Sequence, residues 1–278
     1  MIRKAMRIAA IQFRKERFSP KNICVFITIL IYFWCLMEPV NRFAADYECK
    51  IAPYGAIFIF SDIGSQVVLA IGAVFLFCNA PYRDGDYPYL VLRSGTNSFT
   101  IGNALYMAGM AGVYVLFMIV SGMLPALGNI DWAWSWGKVW TTLARTQAGG
   151  NYAIGFQVAN GILSRFSPLE ALVLSGLLEW LCFSLIGFTV YLGNLVEGRT
   201  AGTLMGTFLA FYDLIVYNML SYSYYRISPV SLARLSLTCE GVGMTLDYAI
   251  FALLVGCAVM VGFCCFAERK RKSGGRIG

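Results

Sequence analysis

The stretch LDYAIFALLVGCAVMVGFCCFA, residues 246–267, carries no charge after Asp247 and runs directly into Glu268-Arg-Lys-Arg-Lys272. As an α-helix it is long enough to cross about 30 Å of hydrocarbon, at about 1.5 Å per residue. The basic cluster behind it marks the side where it stops. Five more apolar segments read the same way: Ile23–Glu38, Gly55–Asn79, Thr100–Leu124, Leu169–Asn194 and Ala201–Leu220. Of 278 residues, 58% are hydrophobic and 13% charged. Soluble domains average about 45–50% and about 25%. The reading is an all-α membrane protein of six transmembrane helices forming a single domain, 1–278. Within it, 1–22 is an amphipathic cytoplasmic segment, 23–267 the membrane domain and 268–278 a basic cytoplasmic tail.

Charge sets the expected orientation. The net charge is +7, but its placement follows the spans rather than a groove for nucleic acid. Fifteen of the 22 Lys and Arg residues lie in the N-terminal segment, the C-terminal tail and two short loops (Arg83, Arg93 and Arg199). Seven lie on the other side, Arg234 among them. Both termini are therefore expected in the cytoplasm, with loops 125–168 and 221–245 outside. Residues 1–18 alternate apolar and basic positions, Ile2, Met6, Ala9, Ile11 and Phe13 giving the apolar cover. They suit either a helix lying along anionic lipid or a plain positive-inside anchor.

Several chemistries are excluded. There is no histidine, which removes Ser-His-Asp and Cys-His catalysis and His-ligated zinc. The nine cysteines form no CxxC pair, and most sit in apolar runs as small hydrophobes. Cys49 and Cys239 both fall in outer segments, as free thiols or as a disulfide if the loops meet. No GxxxxGK[ST] loop is present, so the chain has no phosphate cradle of its own.

Two outer segments predict short helices. Trp136, Val139, Trp140 and Leu143 follow one helical face, expected to lie at the headgroup level. Ser228-Pro229 reads as a helix start, with a helix near 230–238 on or dipping into the outer leaflet. Dipping requires protein to shield its backbone.

On the inner side, the turn-rich Pro81-Tyr-Arg-Asp-Gly-Asp86 leads into Tyr87-Pro-Tyr-Leu-Val-Leu-Arg93. Pro88 suits the first turn of a helix capped by Asp86 or Tyr87. Its knobs would either pack on a partner or tuck under the bundle. This acidic, aromatic stretch, ending in Leu-x-Leu-Arg-Ser-Gly95 after the second span, resembles permease subunits of the ABC-2 type from Firmicutes. Ser228-Pro-Val-Ser231 and the basic N-terminus are similar to the same group. The resemblance implies a coupling helix that docks on a separate ATPase through Tyr87, Tyr89, Leu90, Leu92 and Arg93. It also implies that ATP and Mg bind that partner, that a second permease copy or paralogue completes a dimer, and that the complex is an exporter in a bacterial plasma membrane. The long Trp-rich outer loop departs from the better-known polysaccharide exporters.

Three carboxylates fall within spans: Asp62, Glu179 and Asp213. Placing one at a helix centre costs about 2.5–3.5 kcal/mol on insertion scales. No Lys or Arg lies deep in any span to pair with them. With Tyr217, on the Asp213 stripe, they are the candidate substrate pathway, suiting a cationic antimicrobial peptide or amphiphile. Alternatively they are polar ties between helices. No catalytic or metal-ligating set is expected. An ion-coupled secondary transporter is the main alternative, with the carboxylates as coupling sites; neither inverted repeats nor Gly/Pro-broken spans are evident. An intramembrane aspartyl enzyme would need Asp62 and Asp213 at matched depth.

Overall fold

The computed structural model describes residues 2–82, 87–132, 134–239 and 244–274, with side chains described at all of these except 87, 88, 199 and 272–274. The order is α1 (Ile2–Glu16), α2 (Pro20–Asp46), α3 (Gly55–Ser61), α4 (Ile63–Phe77), α5 (Tyr87–Ser94) and α6 (Thr96–Met123). Three short helices follow: α7 (Gly137–Arg145), α8 (Ala148–Asn151) and α9 (Asn160–Arg165). Then come α10 (Pro168–Val196), α11 (Arg199–Met219), α12 (Pro229–Ala233), α13 (Leu235–Cys239) and α14 (Leu246–Gly274).

Five helices (α2, α6, α10, α11 and α14) are long and apolar enough to cross a membrane. The pair α3 and α4 makes a sixth span only if it is counted together, because the two are bent by 89° at Asp62. The protein is a helical membrane-spanning protein, and its second span is broken where a single helix was expected. Alone, the 15 residues of α4 reach about 22 Å, short of the hydrocarbon thickness. All seven residues of α3 are buried in protein.

Of the five long helices the most enclosed is α10, which packs against α4, α6, α11 and α14. Its start is written locally. Ser167 and Glu170 form a reciprocal capping box, and Pro168 occupies the first turn. The first span outruns its expected end at Glu38, continuing to Asp46 with Pro39 inside the helix.

The N-terminal segment buries its apolar face on protein. Ala5, Ile8, Ala9 and Gln12 are buried. Gly102 of α6 leaves the room, since a Cβ there would meet Ile8 at 2.7 Å. Phe13 lies edge-on to Tyr106 at 4.9 Å, and Gln12 donates to Asn103 Oδ1 at 3.4 Å. Ile2 and Met6, at the edge of that face, stay exposed. Lys4 reaches the Arg93 carbonyl at 3.4 Å and Arg269 reaches Asn97 Oδ1 at 2.8 Å, so both basic ends meet at the α5–α6 corner.

Small residues set the helix spacing. Gly193 faces Gly202, whose Cα would lie 2.5 Å from a Cβ at position 193. Gly206 is closed over by Val190 and Val74. Trp180 crosses Gly112 and donates to the Ala108 carbonyl at 2.7 Å. Both small-residue steps, Gly202–Gly206 and Ala108–Gly112, therefore make contacts within the chain. A methyl at Gly202 would sit inside van der Waals contact of the Val190 carbonyl, a backbone atom that cannot swing away. Gly202→Ala should lower unfolding stability in detergent micelles by about 1–3 kcal/mol. Gly128→Ala, where a Cβ meets nothing within 4 Å, should not.

Candidate functional site at the broken span

The break frees backbone carbonyls at the end of α3 that a continuous helix would have bonded. Asp62 is extended, at φ −84° and ψ 133°, and its Oδ2 accepts the Ser65 amide at 2.8 Å. It is thus the N-cap of α4 rather than a carboxylate in mid-helix. The Phe60 carbonyl takes a hydrogen bond from Gln66 Nε2. The Ser61 carbonyl accepts from Arg234 Nε at 3.0 Å and Ser236 Oγ at 3.5 Å.

Arg234 comes from the segment between the last two spans. There α12 and α13 dip into the protein, with Pro229 through Ala233 and Leu235 through Thr238 buried. Ser228 caps α12, its hydroxyl accepting the Ser231 amide at 3.2 Å. The guanidinium then bridges α3 and α11, with Nη1 lying 3.3 Å from Asp213 Oδ2. Asp213 Oδ1 accepts from Ser231 Oγ. Asp213 is fully buried and the Arg234 side chain is 12% exposed. No Lys or Arg within a span was expected to pair with the span carboxylates, yet Asp213 has a basic partner from outside the spans. Arg234 reaches it from a loop that folds inward.

The candidate pathway residues divide into two groups. Asp62 and Tyr217 line one cavity of about 370 Å³ with Ser61, Ser236, Gln157 and Arg234. Asp213 lies behind this cavity, through Arg234. Glu179 is elsewhere: fully buried on α10, its Oε1 accepts from Gln66 Nε2, and among the described residues its Oε2 has no hydrogen-bond partner. Gln66 thus ties the end of α3 to Glu179, while Arg234 ties it to Asp213. The carboxylates of Asp62 and Asp213 go to different donors. Among the described residues no three Cys, Asp or Glu side chains converge as metal ligands.

The segment between α6 and α10 closes over α3. Trp140 is fully buried, its Nε1 donating to the Ala52 carbonyl at 2.8 Å and its ring 4.9 Å from Phe58. Trp136 donates to the Phe166 carbonyl at 3.2 Å and packs on Tyr54. These two indoles are therefore buried against α3 and its neighbours rather than presented at the protein surface, while Trp132 and Trp134 are exposed. Tyr152 donates to Asp46 Oδ2 at 2.8 Å, and that bond pushes its phenol up to about 12. Cys49 and Cys239 are not joined by a disulfide.

At the opposite end, the expected turn at Asp84, Gly85 and Asp86, with Arg83 beside it, lies outside the described residues, as does the Tyr87 side chain. From 87 the helix forms as read. Tyr89 and Leu92 are exposed at 75% and 82%, Arg93 is exposed and Leu90 half-buried. Gly95, at φ +85°, turns the chain from α5 into α6.

The chain matches no protein-family model, and no curated protein matches it significantly.

Reasoning from sequence singled out the acids but missed their donors. Arg234 is the one charge within 227–239, a segment otherwise apolar and hydroxylic, and Ser228-Pro229 already marked a helix start before it. That combination was the available signal. Removing the guanidinium strands a buried carboxylate, which costs about 3–5 kcal/mol. Arg234→Ala should therefore destabilise the protein by that order in detergent unfolding. Asp213→Asn combined with Arg234→Gln should recover part of the loss, because no unpaired charge remains.

Proposed function

We propose that this chain is the permease subunit of an ATP-binding cassette transporter in a bacterial plasma membrane. It would export, or give immunity to, a cationic amphiphile such as an antimicrobial peptide. A separate ATPase subunit would bind ATP and Mg, and a second permease copy or paralogue would complete the pathway. The observation that carries this reading is α5. A short helix with exposed Tyr89 and Leu92 at its surface has no use for such knobs in water. It is joined to α6 through Gly95, and Lys4 of α1 reaches its Arg93 carbonyl. Movement imposed on α5 would therefore reach a spanning helix directly. The chain has no phosphate-binding loop with which to drive that movement itself. Asp62, Tyr217 and the Arg234-bridged Asp213 would line the outer part of the route, and Glu179 a deeper part.

Purified from its native membrane, the protein should carry ATPase activity, and Leu92→Asp with Arg93→Asp should abolish that association without changing the elution profile. Retained ATPase in this variant would sink the coupling role of α5.

One observation favours a second reading, an ion-coupled transporter. Such folds place their sites at interrupted helices, and here the break holds Glu179 through Gln66, with one carboxylate oxygen unpartnered. Cargo uptake into liposomes by the isolated chain, driven by a proton or sodium gradient and lost in Glu179→Gln, would replace the first reading with this one. No gradient-driven flux, with transport restored by an added ATPase subunit, is the expected result.

A further inference from the structure

A cavity larger than the one at the broken span lies away from it, at the basic end of the bundle. Both α11 and α14 pack along α10, but among the described residues they barely touch each other. The close Gly193–Gly202 contact pulls α11 onto α10 at this end, while α14 follows the other side of α10. The divergence leaves a cleft of about 1070 Å³. Its walls include Leu192, Val196, Met205, Phe263 and Phe266. Four of these, all but Leu192, are exposed on the protein surface. Its rim carries Lys270 and Arg271 on α14, opposed by the single acid Glu197.

An apolar cleft between spanning helices opens onto hydrocarbon, and water gains nothing by filling it. The rim stands where α14 changes from apolar to basic, the depth at which lipid phosphates sit. We propose that this cleft is a binding site for an anionic phospholipid. One acyl chain lies between Met205 and Phe266, and the phosphate sits against Lys270 and Arg271. Charge decides the class: the basic pair outnumbers Glu197, so an anionic headgroup is preferred over a zwitterionic one. The site depends only on the protein spanning a membrane, and it holds whether or not an ATPase drives the chain.

The test uses the purified full-length chain in detergent, offered phosphatidylglycerol or phosphatidylcholine of identical chains and read by native mass spectrometry. Phosphatidylglycerol should be retained preferentially. Lys270→Gln with Arg271→Gln, both exposed positions, should reduce that retention about tenfold and leave phosphatidylcholine unchanged. Ala201→Phe, which fills the cleft, should reduce both lipids while preserving the elution profile. Equal retention of the two lipids, or no response to the double substitution, overturns the proposal. Displacement by inorganic phosphate at the same concentration as lipid would assign the rim to a free anion instead. A lipid-free dimer that Ala201→Phe converts to monomer would assign the cleft to a second copy of the chain.

Discussion

At bilayer depth every backbone N–H and C=O must find its partner inside the protein, and the broken span is where that requirement presses hardest. A continuous helix would satisfy it automatically. Ending α3 at Ser61 leaves carbonyls facing an apolar interior, and a helix C-terminus is also a site of partial negative charge. Arg234 answers both, donating to the Ser61 carbonyl and placing a cation there. A buried guanidinium is itself costly, so Asp213 must face it, and Ser231 must complete the carboxylate. To bring Arg234 to that depth, α12 and α13 have to fold inward, which in turn requires protein on all sides of them. The loops that carry Trp136 and Trp140 over α3 supply the cover. Much of the packing at this end of the molecule follows from one break in a helix.

Long apolar runs and their punctuation carry over from sequence to structure with little loss. The last four spans begin and end within a few residues of their apolar limits, except that α14 runs on to Gly274. Ser167-Pro168 and Ser228-Pro229 start helices as their chemistry requires. The break at Asp62 was not legible in the same way. Hydrophobicity reports only that Gly55–Asn79 avoids water, and a segment buried in protein avoids it as thoroughly as one in lipid. The local clue was Asp62 itself, which is a poor residue for mid-helix and a good N-cap for the apolar run behind it.

The candidate site shows the same division. Acids in apolar spans stand out because burying a charge is expensive, so Asp62, Glu179 and Asp213 could be picked out individually. What joins them is tertiary. Gln66 is four residues from Asp62, yet its amide spans α3 and α10, which only the bend permits. Arg234 is 21 positions from Asp213 and 173 from Ser61, separations that carry no periodicity to read. The tryptophans misled for a related reason. A Trp-rich amphipathic helix looks alike whether its apolar face meets headgroups or a buried helix, and the Ala52 carbonyl that receives the Trp140 indole lies 88 residues away.

The break also bears on motion. A straight span can only tilt or slide, whereas two pieces joined at one residue can change their mutual angle while each keeps its own hydrogen bonds. Across this joint the backbone contributes only Asp62 N to the Ile59 carbonyl at 3.3 Å and Gln66 N to the Asp62 carbonyl at 3.0 Å. The angle is held instead by side chains from other elements, Gln66 with Glu179 on one side and Arg234 with Asp213 on the other. The groups that make an interrupted helix tolerable in an apolar interior are therefore the same groups that set its stiffness. Arg234 lines the cavity beside the break, so any ligand there that drew its guanidinium away from Asp213 or the Ser61 carbonyl would loosen a tie as it bound, which couples occupancy of the cavity to the shape of the span without any further device.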